Sequence, residues 1–309
     1  MKSVIVTGSA GFIGGHLTER LLREGHRVVG IDNLKSGLQS TSDLHLSYDN
    51  FTPKHLDIRS EEVAGVFKAF SPDLVFHLAA VPGVATSVND PFASNDVNVN
   101  GTVNILNMSQ KYGVKRLVFS SSSSVYGGGG ELPMSEGQAL RPKSPYALQK
   151  KIGEEYCRLF SKIYNLDTVC LRYFNVFGPR QRSDLKYSAA ISSFCDSVVK
   201  DKNPIIYGDG SQTRDFCFVE NVVYANILAS NFIGRLNGDA INIGCGERIS
   251  ILSICNMLNT KRPIYKSSRP GDIMHSYADI TKAKNTLGYN PMALCEEGLK
   301  KTLGWHKNI

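Results

Sequence analysis

Two side chains near the middle of the chain have the types and spacing of a proton-transfer pair. Tyr146 and Lys150 are four residues apart and follow Pro145, which favours the start of a helix, so both are expected on one helix face. An ammonium group held near a phenol favours the phenolate and lowers the pKa of the phenol. Because a phenolate can act as a general base, the pair predicts an enzyme that moves a proton.

A run of five serines, Ser120 to Ser124, ends the strand predicted over residues 116–120. Open α/β sheets bind their ligands at the carboxyl ends of their strands, so these hydroxyls are candidates for a site. A tyrosine–lysine pair at this spacing is a weak signal alone. It becomes specific when it follows a serine-rich strand end and a glycine-rich loop.

That glycine-rich loop lies at the start of the chain. The sequence from Val4 to Gly14, VIVTGSAGFIG, predicts a buried strand, a turn and a helix that begins at Phe12. Gly8 allows the sharp turn, Gly11 leaves room for a phosphate beside the backbone, and Gly14 lets the helix lie close to the sheet. The N–H groups of the new helix attract a pyrophosphate, so the loop predicts a dinucleotide site.

The next strand specifies the dinucleotide. Residues 27–32 predict a second strand that ends in Asp32, whose carboxylate accepts hydrogen bonds from a ribose and repels a 2′-phosphate. We therefore expect NAD rather than NADP, and the positive nicotinamide ring would favour the phenolate of Tyr146 further. Small residues at Ala79 and Ala80 follow another buried strand and would let the cofactor approach the backbone.

Alternating strand and helix patterns predict a Rossmann-type, doubly wound parallel sheet with a smaller C-terminal α/β domain. We expect a nucleotide domain over residues 1–175, joined by a returning segment near 212–245, and a second domain over 176–309. Residues 33–50 are polar and predict a loop. Asn98 interrupts a helical pattern over residues 91–112, which predicts a local distortion of that helix.

Composition excludes several other classes of protein. Of 309 residues, 42% are hydrophobic and 20% charged, as in soluble globular proteins, and no apolar run approaches membrane-spanning length. The residues that give the net charge of +7 are scattered, and no nucleic-acid module accompanies them, so neither nucleic acid nor membrane is an expected partner.

Seven cysteines without a Cys-x-x-Cys pair predict reduced thiols and no metal site. The first strand begins within three residues of Met1, so we expect no targeting segment and a cytoplasmic location.

The motif Thr-Gly-x-x-Gly-Phe-Ile-Gly at residues 7–14, together with Tyr-x-x-x-Lys, resembles the extended short-chain dehydrogenase/reductases. Within that class the chain is similar to NAD-dependent UDP-sugar 4-epimerases, those acting on UDP-N-acetylglucosamine in particular, from Lys2 to about Trp305. The resemblance implies that Ser122, Tyr146 and Lys150 are catalytic. It implies NAD contacts at Gly8, Gly11, Phe12, Ile13, Gly14, Asp32, Asn33, Asp57, Ile58, Leu78, Ala79, Ala80, Asn98, Ser120, Tyr146 and Lys150. It implies UDP-sugar contacts at Ser122, Tyr146, Asn175, Ile206, Tyr207, Arg214, Arg269, Asp272 and Ser276.

The serine run also discriminates between reactions. Related 4,6-dehydratases carry Asp-Glu before Val-Tyr-Gly and related decarboxylases carry a glutamate, whereas this chain has Ser123 and Ser124. Without that acid, the expected reaction is oxidation of the sugar at C4, rotation of the 4-keto sugar and reduction from the opposite face. A non-catalytic NAD-binding regulatory protein and, from the charge alone, a nucleic-acid binder remain alternatives.

Two further expectations follow from the resemblance. Ser276 occupies a position where a tyrosine would restrict the sugar pocket to plain hexoses, so we expect UDP-N-acetylglucosamine and UDP-N-acetylgalactosamine as substrates; UDP-glucose with UDP-galactose, and UDP-uronic acids, remain alternatives. A homodimer is expected through helices near 100–112 and 146–162. The second of these helices has an apolar face formed by Tyr156, Leu159, Phe160 and Ile163.

Overall fold

The computed structural model describes residues 1–128, 130–182, 190–268 and 273–308. The chain divides into two compact units. The first comprises Met1–Val125, Pro142–Arg172 and Val223–Ile241, and the second Tyr126–Arg141, Tyr173–Val222 and Asn242–Ile309. The division differs from the expected boundaries at residues 126–141, which belong to the second unit although they precede residue 175.

The first unit is built on a seven-stranded sheet in the order β11-β6-β5-β4-β1-β2-β3. All registered pairs from β3 across to β5 are parallel. The strands are β1 (Ser3–Thr7), β2 (Arg27–Asp32), β3 (Phe51–His55), β4 (Leu74–His77), β5 (Arg116–Ser122), β6 (Asp167–Tyr173) and β11 (Asp239–Ile243). The strand order reverses between β1 and β4, which is where open α/β sheets bind their ligands. The predicted doubly wound sheet is confirmed, and β11, near residue 240, is one of its two edge strands.

Helices cover the sheet of the first unit. They are α1 (Phe12–Arg23), α2 (Gln39–His45), α3 (Glu62–Phe70), α4 (Val84–Asn89), α5 (Pro91–Asn95), α6 (Thr102–Lys111) and α7 (Pro145–Tyr164), with α9 (Val219–Asn231) beginning in the second unit. A π-helical turn, Asp96–Gly101, joins α5 to α6 and contains Asn98, at the predicted distortion. The prediction of a loop over residues 33–50 was wrong in part, because α2 forms within it.

Hydrophobic burial explains this arrangement. Every residue of β4, and every residue of β1 from Val4 onward, is buried, as expected for central strands with helices on both faces. A hydrophobic core cluster includes Ile5, Val75 and Phe119 from the sheet and Ile105 from α6. Burying each such side chain contributes about 1.5–3 kcal/mol, so the core fixes the strand ends that carry the site.

The second unit contains shorter elements. It has α8 (Ala190–Val199), α10 (Ile251–Met257), α11 (Thr281–Leu287), α12 (Cys295–His306), β7 (Val176–Phe177), β8 (Ile205–Tyr207), β9 (Thr213–Arg214), β10 (Cys217–Phe218), β12 (Ile249–Ser250) and β13 (Ile264–Lys266). The strands pair as β10-β7 and β13-β8 in parallel and β12-β9 antiparallel. Among the residues that the structure describes, no helix is both long and apolar enough to cross a membrane.

Candidate active site

Helix α7 presents the predicted proton-transfer pair. It begins at Pro145 with Ser144 as the N-cap, whose hydroxyl accepts a hydrogen bond from the N–H of Ala147 at 3.2 Å. Tyr146 and Lys150 follow one turn apart, and the Lys150 Nζ atom lies 5.9 Å from the centre of the Tyr146 ring. The predicted placement of both side chains on one helix face is therefore confirmed.

Strand β5 supplies the other side of this centre. Lys150 Nζ donates a hydrogen bond to the backbone oxygen of Ser120 at 2.7 Å, and Ser122 forms a side-chain hydrogen bond with Tyr146. The Ser122 Oγ atom also accepts the N–H of Ser124 at 3.2 Å. Serine, tyrosine and lysine therefore form one cluster at the carboxyl end of β5.

Burial governs the pKa of Tyr146 in this cluster. Burial raises the pKa of this phenol, and only the hydrogen bond with Ser122 opposes that shift. Burial also lowers the pKa of the Lys150 ammonium to about 8, which weakens it as a partner for a phenolate. In the protein without a cofactor, the pKa of Tyr146 is therefore raised. The expected phenolate, which depends on Lys150 together with a bound nicotinamide cation, stays a prediction.

A buried ion pair, which the sequence analysis missed, fixes α7 against the sheet. The Arg172 guanidinium of β6 donates two hydrogen bonds to Glu154 of α7, at 2.9 and 2.7 Å. Ser121 of β5 donates to the same carboxylate at 2.5 Å. Glu154 is four residues beyond Lys150, so its position on the catalytic helix face could have indicated this contact.

The glycine loop has the close packing that a dinucleotide site requires. Gly8 has φ +74°, and a Cβ atom there would lie 2.8 Å from the backbone nitrogen of Ala79. A Cβ on Gly14 would lie 1.9 Å from the Gly8 oxygen, so helix α1 can approach the loop only because residue 14 is glycine. Gly11 is the N-cap of α1 and provides no side-chain cap, which leaves the first N–H groups for another acceptor.

Asp32 lies where a ribose would be recognised. Its Oδ2 atom accepts the N–H of Ala10 at 2.9 Å, and its Oδ1 atom accepts the N–H of Leu34 at 2.8 Å. These bonds aim the carboxylate at the glycine loop, and each oxygen retains capacity for a further donor. The bare backbone of the loop, the uncapped helix and this carboxylate together fit a dinucleotide with an unmodified ribose.

The remaining predicted residues on this side contact one another. Asn33 donates a hydrogen bond to Asp57 at 2.9 Å, and a hydrogen bond from the Arg59 side chain holds the pKa of the Asp57 carboxyl well below its usual range. Ile58 is buried against Gly101, where a Cβ atom would lie 2.5 Å from the Ile58 side chain. Arg59 was not predicted, although it adjoins the Asp-Ile pair.

The other predicted cofactor residues lie at the ends of the same elements. Phe12 and Ile13 are half-buried in the first turn of α1, and Leu78, Ala79 and Ala80 are half-buried directly after β4. Their positions follow from the strand order, because β1 and β4 are neighbours and end at the same edge of the sheet.

The Asn98 amide contacts other protein groups. It accepts the N–H of Val81 at 2.7 Å and donates to the Val81 oxygen at 3.0 Å and to Gln149 at 2.8 Å. A direct contact of Asn98 with a cofactor therefore stays a prediction. Gln149, which the sequence analysis missed, lies next to Lys150 in α7.

Apart from Ser122 and Tyr146, which belong to the first unit, the predicted UDP-sugar residues that the structure describes lie in the second unit. The Asn175 amide donates to the Asp215 backbone oxygen at 3.2 Å, and Arg214 donates to the Thr213 oxygen at 2.9 Å. The Ser276 N–H donates to that same Thr213 oxygen at 3.1 Å, and the Ser276 side chain is buried. Ile206 and Tyr207 lie on β8, Ile206 buried and Tyr207 half-buried. Arg269 and Asp272 lie outside the described residues.

Asp215 was missed, although it follows Arg214 directly. Its buried carboxylate accepts the N–H groups of Cys245 at 2.8 Å, Gly246 at 2.9 Å and Ala278 at 3.1 Å. Burial raises the pKa of this carboxyl to about 6. Asp215 thus joins the segment of Arg214 to the segment that contains Ser276.

No carboxylate stands at the two positions after Ser122. These positions are Ser123 and Ser124, and the buried Oγ atom of Ser124 has no hydrogen-bond partner among the described residues. Within the same ranges, no group of three or more His, Cys, Asp or Glu side chains could hold a metal ion. The cluster can therefore hold and move a proton at Tyr146, with no acid of its own next to Ser122.

Comparisons with known proteins identify the family of this chain. The model of the NAD dependent epimerase/dehydratase family matches residues 4–244. UDP-glucose 4-epimerase of Mycolicibacterium smegmatis is 36% identical over 98% of both chains. UDP-N-acetylglucosamine 4-epimerase of Methanobrevibacter ruminantium, solved with UDP-N-acetylmuramic acid, has a TM-score of 0.92 and 36% identity over 98% of this chain and 97% of the other. UDP-glucuronic acid 4-epimerase of Bacillus cereus, solved with UDP-glucuronic acid and NAD, has a TM-score of 0.91 and 32% identity over 99% of both. From the match over most of its length, this chain belongs to the NAD dependent epimerase/dehydratase family.

Proposed function

We propose that this protein is an NAD-dependent UDP-sugar 4-epimerase. The observation that carries the proposal is the Ser122–Tyr146–Lys150 cluster at the end of β5, with serines rather than acids at residues 123 and 124. Elimination of water needs a second acid at this place, and 4-epimerisation needs only one group that accepts and returns a proton.

The first unit holds NAD through the glycine loop, Asp32 and the ends of β3, β4 and β5. When bound, NAD supplies reversible hydride acceptance at the sugar C4. Tyr146 removes the proton of the 4-hydroxyl and later returns it, while Ser122 hydrogen-bonds the same oxygen. Lys150 is fixed by its hydrogen bond to the Ser120 oxygen, with its Nζ atom 5.9 Å from the centre of the Tyr146 ring. These residues perform the proton transfer without a change in net oxidation state of the sugar.

The second unit binds the UDP group. Arg214 and Arg269 contact the diphosphate, since a guanidinium can donate two parallel hydrogen bonds to phosphate oxygens. Asn175 also contacts the diphosphate, Asp272 accepts from the uridine ribose, and Ile206 with Tyr207 packs against uracil. A firm hold on UDP lets the sugar rotate between the two hydride transfers while the nucleotide stays bound.

We propose UDP-N-acetylglucosamine and UDP-N-acetylgalactosamine as the preferred pair of substrates. The support is Ser276, a small and buried residue in a segment that backbone hydrogen bonds fix beside Thr213. A small side chain leaves room for an N-acetyl group at C2. Similar proteins act on different sugars, so plain UDP-hexoses and UDP-uronic acids are the alternatives. A regulatory NAD-binding protein without turnover is disfavoured because the whole catalytic cluster is present.

The test compares substrate use in three variants. Ser276→Tyr fills the proposed space and should abolish turnover of the N-acetylated pair, while activity on UDP-glucose and UDP-galactose survives. Met274→Tyr adds the same ring at a side chain that is 52% exposed, and should change neither activity. Ser276→Ala keeps the space and should retain turnover within about threefold, since it removes no more than one hydrogen bond.

Chromatography of products from UDP-glucose, UDP-N-acetylglucosamine and their uronic acids measures each activity. If Ser276→Tyr lowers all activities equally while its thermal unfolding is unchanged, Ser276 does not contact the sugar. Exclusive turnover of a plain hexose or a uronic acid by the wild type would assign the substrate to the corresponding alternative.

A further inference from the structure

A polar chain lies within the apolar core of the first unit, directly beneath the predicted cofactor segment. His77, the last residue of β4, contacts Thr7 of β1 through Nδ1 at 2.7 Å and Thr102 of α6 through Nε2 at 2.9 Å. All three side chains are buried, with at most 2% of their surface exposed. Since buried polar groups are costly unless they are hydrogen-bonded, each polar atom of these three side chains needs a hydrogen-bond partner.

The hydrogen atoms in this chain can be assigned from its ends. The Thr102 hydroxyl donates its one hydrogen to the backbone oxygen of Asn98 at 2.7 Å, so toward His77 it can only accept. His77 must therefore carry its proton on Nε2. Its Nδ1 atom then accepts the hydroxyl hydrogen of Thr7, and the Thr7 oxygen accepts the N–H of Ala79 at 3.2 Å.

Every donor in the chain therefore points the same way, from Ala79 through Thr7, His77 and Thr102 to Asn98. If His77 carried a second proton, on Nδ1, the Thr7 hydroxyl would lose Nδ1 as the acceptor for its hydrogen, and two donors would face each other. Burial, together with the positive charge of Lys150, lowers the pKa of His77 to about 3, which agrees with a neutral ring. The tautomer is fixed by its partners rather than by the pH of the solution.

The two ends of this hydrogen-bond chain, at Thr7 and at Asn98, hold the two ends of one short segment of the backbone. At residues 78–79, the Leu78 N–H donates to the Thr7 oxygen and the Ala79 N–H to the Thr7 hydroxyl. At Val81, both backbone polar groups bond the Asn98 amide. His77 and Thr102 connect these two attachments, and the segment that they enclose, residues 78–81, contains the predicted NAD contacts Leu78, Ala79 and Ala80.

We propose that His77 is a positioning residue, which as the neutral Nε2–H tautomer links the attachments at Ala79 and Val81 and so sets the shape of the cofactor segment, residues 78–81. The inference rests on the proposed NAD site and goes beyond it, because none of Thr7, His77 and Thr102 has a role in the proposed proton transfer. Gln149 extends the connection to the catalytic helix, since its amide contacts both Asn98 and Ser94.

The test uses two variants of Thr102, because replacing His77 itself could prevent folding. Thr102→Val keeps the side-chain shape but removes the acceptor for His77 Nε2–H, whereas Thr102→Ser keeps the hydroxyl. We expect Thr102→Val to raise the NAD dissociation constant by about tenfold, and Thr102→Ser to keep it within about twofold of wild type. Calorimetric titration of NAD into cofactor-free protein measures both, with thermal unfolding as the check on folding.

The tautomer is measured separately, by ¹⁵N NMR of the histidine side chains in wild-type protein. The expected signals of His77 are a protonated Nε2 and an unprotonated Nδ1 that stay unchanged across neutral pH. A protonated Nδ1, a titration near the usual histidine pKa, or an unchanged NAD affinity in Thr102→Val overturns the inference. A wild-type protein that does not bind NAD contradicts the proposed function instead, and the role in positioning falls with it.

Discussion

The Nζ atom of Lys150 donates a hydrogen bond to the backbone oxygen of Ser120 at 2.7 Å. This bond attaches the second turn of α7 to the carboxyl-terminal part of β5. Two residues beyond Ser120 on that strand, Ser122 bonds the Tyr146 phenol. The distance between the catalytic hydroxyls therefore depends on a lysine that is itself buried. That burial makes the charge of Lys150 sensitive to pH.

We expect the unfolding free energy to report this buried charge. Burial lowers the pKa of Lys150 from 10.5 to about 8, so between these values the unfolded chain binds more protons than the folded one. The contribution of Lys150 to stability therefore rises with pH from about 8 to 10.5, by up to about 3 kcal/mol. Below pH 8 the full cost of burying the ammonium is present.

Lys150→Met removes this contribution. Denaturant unfolding of cofactor-free wild type and Lys150→Met at several pH values gives the difference between them. The wild type should gain stability relative to the variant as the pH rises above 8. Lys151→Met, at the neighbouring half-buried position, serves as control and should show no such trend. Parallel curves for wild type and Lys150→Met would mean that Lys150 keeps its ordinary pKa.

Tyr146→Phe should remove nearly all turnover and leave UDP-sugar affinity almost unchanged. The phenol acts in the transition state, and loss of a general base costs about 10²–10⁴-fold in rate. Tyr164→Phe, at the exposed end of the same helix, is the matched control and should retain full activity. Retention of more than about a tenth of the wild-type rate by Tyr146→Phe would assign the base to another group.

NAD should copurify with the protein, and the Asp32 carboxylate should exclude NADP. Denaturing the purified protein and identifying the released nucleotide tests the first point. For the second, Asp32→Asn should bring the affinities for NAD and NADP closer, by about tenfold, because the charge facing a 2′-phosphate is removed. Asp49→Asn, at an exposed position before β3, should change neither affinity. Release of NADP from the wild type would contradict this prediction.

The homodimer stays a prediction, and the structure sharpens the residues that test it. On the apolar face of α7, Phe160 is buried, whereas Leu159 and Ile163 are 45% and 59% exposed. Leu159→Glu with Ile163→Glu should therefore shift a dimer toward monomer without unfolding it. Ile233→Glu, at a side chain that is 95% exposed outside α7, is the control. A monomeric mass for the wild type by light scattering at micromolar concentration would rule out the dimer.

Features set by local spacing could be predicted from the sequence. The turn at Gly8, the acid at the end of β2 and the one-turn separation of Tyr146 and Lys150 each depend on a few neighbouring residues. The distortion at Asn98 could be predicted for the same reason, since asparagine forms helix poorly.

Features that depend on strand order or on burial could not be predicted from the sequence. Thr7, His77 and Thr102 are far apart in sequence and meet only because β1 and β4 are neighbours under α6. A histidine in the otherwise apolar strand β4 was the one available signal. The raised pKa of Tyr146 in the protein without a cofactor comes from burial, and the spacing of Tyr146 and Lys150 in the sequence carries no information on burial.

The most direct test of 4-epimerisation is proton NMR of UDP-N-acetylglucosamine incubated in D₂O with the purified, NAD-loaded protein. We expect UDP-N-acetylgalactosamine as the product, with unchanged mass and with protium retained at C4, because the hydrogen removed from C4 returns to it without passing through solvent. The same sample with Tyr146→Phe should show almost no product. If no C4 epimer forms from this substrate or from the plain and uronic UDP-sugars, or if the product has lost water or carbon dioxide, the protein is not a UDP-sugar 4-epimerase.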